Sequence, residues 1–263
     1  MKQRIIILVI GFLLASCEEK INWQLDSIPP DLCIVDGRIT NEYKRHLIKL
    51  TKPVSNLNDV PEVIGEAEVL LSDGFTVMEL IEIPKNSGNY YTDSMSFTVD
   101  RKYKLEIFKE SNYYFANAEM IPVTPFSLVK VKLSEANDTM FQIDEKFSSE
   151  EDAIWELQLQ FTNSDGITYD AALYYYTIGS LDVSQLFAPQ KEIIAFPRGT
   201  RIIQKKYSMA PEHAAYIRSL LLETEWRGGY FDISAANVNT NLSNGAKGFF
   251  SASTVLTDTL LIP

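Results

Sequence analysis

Apolar residues recur at every second position over most of this chain, and that period limits what it can fold into. Tyr103, Leu105 and Ile107 alternate with Lys102, Lys104 and Glu106. Val129, Val131 and Leu133 alternate with Lys130, Lys132 and Ser134, and Trp155, Leu157, Leu159 and Phe161 with Glu156, Gln158 and Gln160. Ala67, Val69 and Leu71 follow the same rhythm. Successive side chains of a strand point to opposite faces, so the pattern buries one face and wets the other. Between such runs stand Ser72-Asp73-Gly74, Asn86-Ser87-Gly88-Asn89 and Asn163-Ser164-Asp165-Gly166, which carry the residues of tight turns. Short strands at this spacing predict a mainly β chain of sandwich type rather than a helical or α/β one.

Pro122 and Pro125 punctuate the pattern and predict a junction. Residues 31–125 read as an N-terminal β-sandwich of immunoglobulin-like or transthyretin-like size. Residues 126–263 read as a second β-sandwich, with further strand candidates at 173–178, 192–196 and 248–261. One segment breaks the period. Near 211–227, Tyr216, Ile217, Leu220 and Leu221 fall on one helical face, with Leu222 and Trp226 beside it. Pro211 suits the first helical position and Gly228-Gly229 a stop, so a single amphipathic helix is expected, covering an open face or end of the second sheet. There is no internal repeat and no low-complexity run.

The first residues carry a separate message. Met1-Lys2-Gln3-Arg4 precedes an apolar run from Ile5 to Leu14 that is interrupted by Gly11. A basic start and a short apolar stretch are the parts of a secretory signal peptide, and the run is far below the ~20 residues a membrane span requires. Leu14-Ala15-Ser16-Cys17 follows and looks like a lipobox. Leu14, Ala15 and Ser16 are then the signal-peptidase recognition residues, residues 1–16 are removed, and the Cys17 thiol carries the lipid. One acyl chain holds a protein marginally and two or more hold it stably. A cysteine with three chains, palmitate among them, anchors the body to outer-membrane lipid without any inserting surface. The alternative is an ordinary secreted protein in which Cys17 is incidental. Residues 17–30 read as a tether: Ile21, Trp23, Leu25 and Ile28 are its apolar residues, and Pro29-Pro30 favours extended backbone.

The full chain has 24 Lys and Arg against 35 Asp and Glu, a net charge of −11. Losing Lys2 and Arg4 leaves 22 against 35, or −13. Phosphate binding depends on clustered cations, so nucleic acid is excluded as a partner on this balance. Glu18-Glu19 directly after the lipidated cysteine resembles the acidic start of surface-exposed Bacteroidota lipoproteins; a periplasmic-facing position is the alternative. With Cys17 acylated, Cys33 is the remaining thiol. It lies in the apolar run Leu32-Cys33-Ile34-Val35 and reads as a core residue.

The sequence carries little that points to catalysis. His46 and His213 are the two histidines, and neither has a second ligand at zinc spacing. His46, in Tyr43-Lys44-Arg45-His46, reads as part of a solvated turn, and His213 as an exposed residue of the helix's first turn. No phosphate-binding glycine loop and no nucleophile elbow occur. Asp144-Glu145 and Glu150-Glu151-Asp152 are candidates for a glycosidase pair or a calcium site, or are simply acidic loops. No catalytic residue, metal site or cofactor is therefore expected. Tyr113-Tyr114-Phe115, Tyr174-Tyr175-Tyr176 and Tyr230-Phe231 should each bury one ring and turn its neighbour outward, as packing or as a contact surface.

Two stretches carry a resemblance. Ile34-Val35-Asp36-Gly37-Arg38-Ile39-Thr40-Asn41-Glu42 is similar to the opening of Bacteroidota lipoproteins in the domain-of-unknown-function family 4249. Gly229-Tyr230-Phe231-Asp232, the run Asn237 to Asn244, and Gly248-Phe249-Phe250-Ser251-Ala252-Ser253 resemble that family's closing segment. Met120-Ile121-Pro122-Val123 also fits, although this chain is more compact than longer members in its second half. The resemblance implies no established activity and supplies no catalytic residues. Its members often stand beside TonB-dependent transporters, which implies a lipid-anchored, non-enzymatic accessory protein that binds such a transporter or its ligand. A surface glycan- or peptide-hydrolase, or a purely structural or adhesive module, are the alternative functions.

Overall fold

The structure is a computed structural model and describes residues 32–54, 59–144, 147, 151–162, 165–179, 193–224 and 238–263. The expected signal peptide and tether lie outside these residues, as do Leu14, Ala15, Ser16 and Cys17. No helix among the described residues is long and apolar enough to cross a membrane.

The chain is mainly β, as its period requires. In order the strands are β1 (Ile34–Thr40), β2 (Leu47–Thr51), β3 (Glu68–Ser72), β4 (Val77–Glu79), β5 (Ile81–Glu82), β6 (Asn89–Tyr91), β7 (Arg101–Lys109), β8 (Asn112–Met120), β9 (Val131–Leu133), β10 (Phe141–Ile143), β11 (Ala153–Thr162), β12 (Thr168–Thr177), β13 (Arg201–Ser208), β14 (Lys247–Ser253) and β15 (Val255–Leu261). One helix, α1 (Pro211–Thr224), stands between β13 and β14.

A five-stranded sheet, β14-β1-β2-β6-β5, packs against a four-stranded one, β4-β3-β7-β8. Between them lie Val35, Ile39, Ile48 and Leu50 of the first sheet and Val69, Leu71, Leu105 and Ile107 of the second, all removed from water. These are the alternating positions read from the sequence. A third sheet, β12-β11-β13-β15, has the hairpin β9–β10 over one face. Leu157, Leu159, Phe196 and Ile202 fill that layer, with Val131, Phe141 and Ile143 packed against them. In the expected strand 192–196, residue 192 lies outside the described residues; Phe196 makes a single bridge to Phe141 instead of a strand.

The run 248–261 is not one strand. It breaks at Thr254: β14 pairs in parallel with β1, and β15 pairs antiparallel with β13 in the third sheet. Phe250 and Ala252 thereby enter the core of the first sandwich, which is closed by residues far beyond Pro125. The Lys247 amide donates to the Cys33 carbonyl at 2.9 Å, and Gly248 lies opposite Val35. A Cβ on Gly248 would come within 2.0 Å of the Val35 carbonyl oxygen, and φ there is +87°. Only glycine allows strands to close so tightly in that conformation.

Helix α1 covers one end of the third sheet, where Ala214, Ile217 and Leu221 meet Ile154, Tyr207 and Val255. It also reaches the first sandwich: the rings of His213 and Tyr216 stack on Phe249 at 5.2 and 4.7 Å. The helix is thus a wedge between the two β units. Trp226, expected near its end, lies outside the described residues.

Candidate functional site

The registers place the two ends of the first sandwich. At one end, Asn41 follows β1; the Val255 amide donates to its Oδ1 at 2.7 Å, and its Nδ2 donates back to the Val255 carbonyl at 3.3 Å. Thr254 donates its hydroxyl to the Ile121 carbonyl at 2.6 Å, and its amide donates to Ser208 Oγ at 2.9 Å. Glu42 accepts from Lys205 at 2.9 Å and also from Lys44. Burial pushes the Glu42 carboxyl up, but these two ammonium groups outweigh it and bring it to about 2. Next to them Lys206, almost fully buried, donates to Glu151 and to Thr124, and lies over the Trp155 ring. This end is a clamp that fastens the second unit to the first.

The opposite end is open. Here β7 passes into β8 through Glu110-Ser111, β2 ends at Thr51, and the chain enters β1 through Leu32 and Cys33. Between these elements is a cleft of about 760 Å³, within the size range of ligand sites. Cys33, Ile64, Ile107 and Tyr114 line its apolar part, with Leu32 and Val63. Lys52, Glu62, Lys109, Glu110, Ser111, Asn112 and Asn244 supply polar groups. Lys52 and Glu62 are ion-paired at 2.8 Å.

The walls are held by backbone-directed hydrogen bonds. The buried Tyr90 hydroxyl donates to the Ile64 carbonyl and accepts from the Ala67 amide, each at 2.9 Å. Glu82 accepts from the amides of Glu66 and Gly88 at 3.0 and 2.9 Å. On the other side Asn244 Nδ2 donates to the Tyr113 carbonyl at 2.8 Å, and Ser243 exchanges bonds with both backbone groups of Phe115. Asn241 ties the same loop to Asn117 and Phe250. A wall fixed in this way needs little ordering when something binds.

The sequence-derived candidates fall into place unevenly. Cys33 is a core residue, as expected; burial pushes its thiol up to about 11, so it is protonated at neutral pH. Both histidines are buried, which corrects the expectation of solvated positions. His46 is 1 % exposed: Nδ1 accepts from the Thr40 amide and Nε2 faces the Met95 carbonyl at 3.1 Å, which requires the proton on Nε2. Burial lowers its pKa. His213 is 4 % exposed, and burial, followed by the nearby Arg38, holds it down at about 3. The stacking on Phe249 drew it inward, a contact invisible in the order of residues.

Glu151 is a strut for Lys206, Asp152 accepts from the Gly179 amide at 2.6 Å, and Asp144 is exposed beside Lys132. Glu145 and Glu150 lie outside the described residues, among which no group of three metal-ligating side chains occurs. Tyr114 is buried with Tyr113 and Phe115 turned outward, as the strand period predicts; in the second run Tyr174 is exposed and Tyr175 and Tyr176 are only half-buried, so no ring there is buried as expected. Tyr230 and Phe231 lie outside the described residues. Sequence reasoning did not single out Asn244, which lines the cleft, or Tyr90, Glu82 and Asn241, which brace the segments around it. The only signal was an excess of Asn in the run 237–244.

The family described as "Domain of unknown function (DUF4249)" matches residues 18–259. No curated protein matches the chain.

Proposed function

The chain belongs to the DUF4249 family, and from that premise we propose that it is a lipid-anchored, non-enzymatic accessory protein of the outer membrane that binds a TonB-dependent transporter or its ligand. The observation that carries this reading is the cleft at the end of the first sandwich. It is preformed, amphipathic and lined by Leu32, the residue at which the tether from Cys17 enters the body. An anchor at Cys17 would therefore join the body beside the cleft, within reach of a partner in the membrane. The acyl chains supply the membrane affinity, and the body contributes recognition.

The hydrolase alternative has less support. Among the described residues the carboxyl groups with displaced pKa values, Glu42, Asp73, Glu82, Glu106 and Glu151, are all lowered. A general acid working near neutral pH needs the opposite displacement.

Two experiments test the proposal. Labelled palmitate should enter the wild-type chain and not Cys17→Ser. Affinity purification from detergent-solubilised outer membranes should recover a transporter with the wild type, and Ser111→Trp at the cleft rim should lose most of it while remaining lipidated. A fully lipidated protein that always purifies alone overturns the reading.

A further inference from the structure

We propose that β15 is a docking edge, to which an extended segment of a partner protein adds as a further strand beside residues 257–261, with Lys or Arg opposite Asp258. None of these residues lines the cleft, and the edge stands independently of the transporter reading. Three observations carry it.

The first is direction. β15 is an outer strand of the third sheet and pairs with β13. In an antiparallel ladder, alternate residues turn both main-chain groups to the same side. The Thr254 carbonyl accepts from the Ser208 amide, and Ile262 exchanges bonds with Gly199 and Thr200, so even-numbered residues face β13. Thr257, Thr259 and Leu261 therefore turn their amides and carbonyls away from it. All three residues are exposed, Leu261 by 65 %. No main-chain partner for their outward groups occurs among the described residues.

The second is that a ladder begins on this side. The Val255 amide donates to Asn41 Oδ1 at 2.7 Å, and Asn41 Nδ2 donates to the Val255 carbonyl at 3.3 Å. A carboxamide carries the donor and acceptor of a peptide unit, so Asn41 acts as the first residue of a neighbouring strand. The rungs at Thr257, Thr259 and Leu261 follow in the same direction at intervals of ~6.8 Å.

The third is composition. Val255 to Leu261 holds β-branched and apolar strand formers, and neither Lys nor Pro, two residues that guard an edge against pairing. The first sandwich is protected differently: β4 and β5 are three and two residues long, and Asn241 ties β8 to β14. The one charge on β15 is Asp258, exposed, whose Oδ1 accepts from the Thr259 amide at 2.7 Å. It makes no ion pair among the described residues. A carboxylate at the centre of an edge repels an acidic strand and favours a cation directly opposite. A second copy brings the same carboxylate and the same net charge of −11, so the fitting partner is a different, basic segment.

The test is amide hydrogen exchange over residues 254–263 of the full-length protein in detergent micelles. The probe is a seven-residue peptide alternating Thr and Val around a central Lys. Exchange at Thr257 and Leu261 should slow about tenfold when nine edges in ten are filled. A Glu-centred probe should need about fivefold more peptide, and Asp258→Lys should reverse that order. Methylating the peptide nitrogens of the probe should abolish protection. Thr257→Pro should also abolish it while leaving thermal unfolding cooperative, since the N–H it removes points away from β13. Exchange unchanged by either probe overturns the proposal, as does protection that survives N-methylation or keeps its order in Asp258→Lys. Protection that grows with protein concentration in the absence of probe assigns the edge to a second copy and overturns it too. Ser111→Trp should leave the protection intact, so loss of transporter co-purification is read separately.

Discussion

Replacing Gly248 by alanine should be among the most damaging single-methyl additions this chain can suffer, and its cost separates into two parts. The φ of +87° places an alanine in the left-handed region, at about 1–2 kcal/mol. The new Cβ would also lie 2.0 Å from the Val35 carbonyl oxygen and 2.9 Å from its carbon. Backbone cannot rotate away as a side-chain tip can, so β14 must move off β1. Overpacking of this kind adds about 1–3 kcal/mol, for a total of about 2–5 kcal/mol against a typical domain stability of about 5–15. Gly245 provides the control. Its φ is +85°, yet nothing lies within 4 Å of its Cβ position, so Gly245→Ala should cost only the conformational part, about 1–2 kcal/mol. Urea unfolding of the two variants, both made in a chain of residues 18–263, measures the difference directly. If Gly248→Ala proves as mild as Gly245→Ala, the tight parallel pairing of β1 with β14 is refuted, and with it the closing of the first sandwich by the C-terminal strand.

Three further outcomes are expected. Asn241→Ala removes bonds to the carbonyls of Asn117 and Phe250 and from the Phe250 amide; it should cost about 1–3 kcal/mol in urea unfolding and raise hydrogen exchange along β8. Glu42 lies at about 2 in the folded chain against an ordinary 4.5. Its contribution is therefore complete above pH 4.5 and is lost as pH falls from 4.5 through 2. Discounted for its partial exposure, the loss is about 1–2 kcal/mol, and an acid titration of wild type against Glu42→Gln should show the variant lacking that increment. Glu151→Ala leaves the Lys206 ammonium, 2 % exposed, without its anion and should cost about 3 kcal/mol, whereas Lys206→Met should lie within about 1 kcal/mol of wild type by thermal unfolding.

Local pattern determined a good deal. Strand identity followed from period two, because the pleat repeats every second residue and water penalises the wrong face. Leu105, Ile107 and Leu157 went where that rule sends them, and Cys33 with them. The helix at Pro211–Thr224 was legible for the same reason at a different period. The expectation of a lipobox at Leu14-Ala15-Ser16-Cys17 likewise rests on local residues alone.

What the tertiary structure decided is everything that depends on partners remote in the chain. Nothing in Gly248-Phe249-Phe250 says that it will lie beside Val35, more than two hundred residues earlier, or that Thr254 will divide one apolar run between two sheets. The histidines were misjudged because a charged neighbourhood such as Lys44-Arg45 or Glu212 says nothing about which side chain turns inward onto Phe97 or Phe249. The cleft is a void between the end of β2, the β7–β8 turn and the Asn244 loop, and its existence depends on the distance between elements. Periodicity fixes the face a residue presents, since that is set by its own backbone; the gap between faces is set by packing, and packing is a property of the assembled chain.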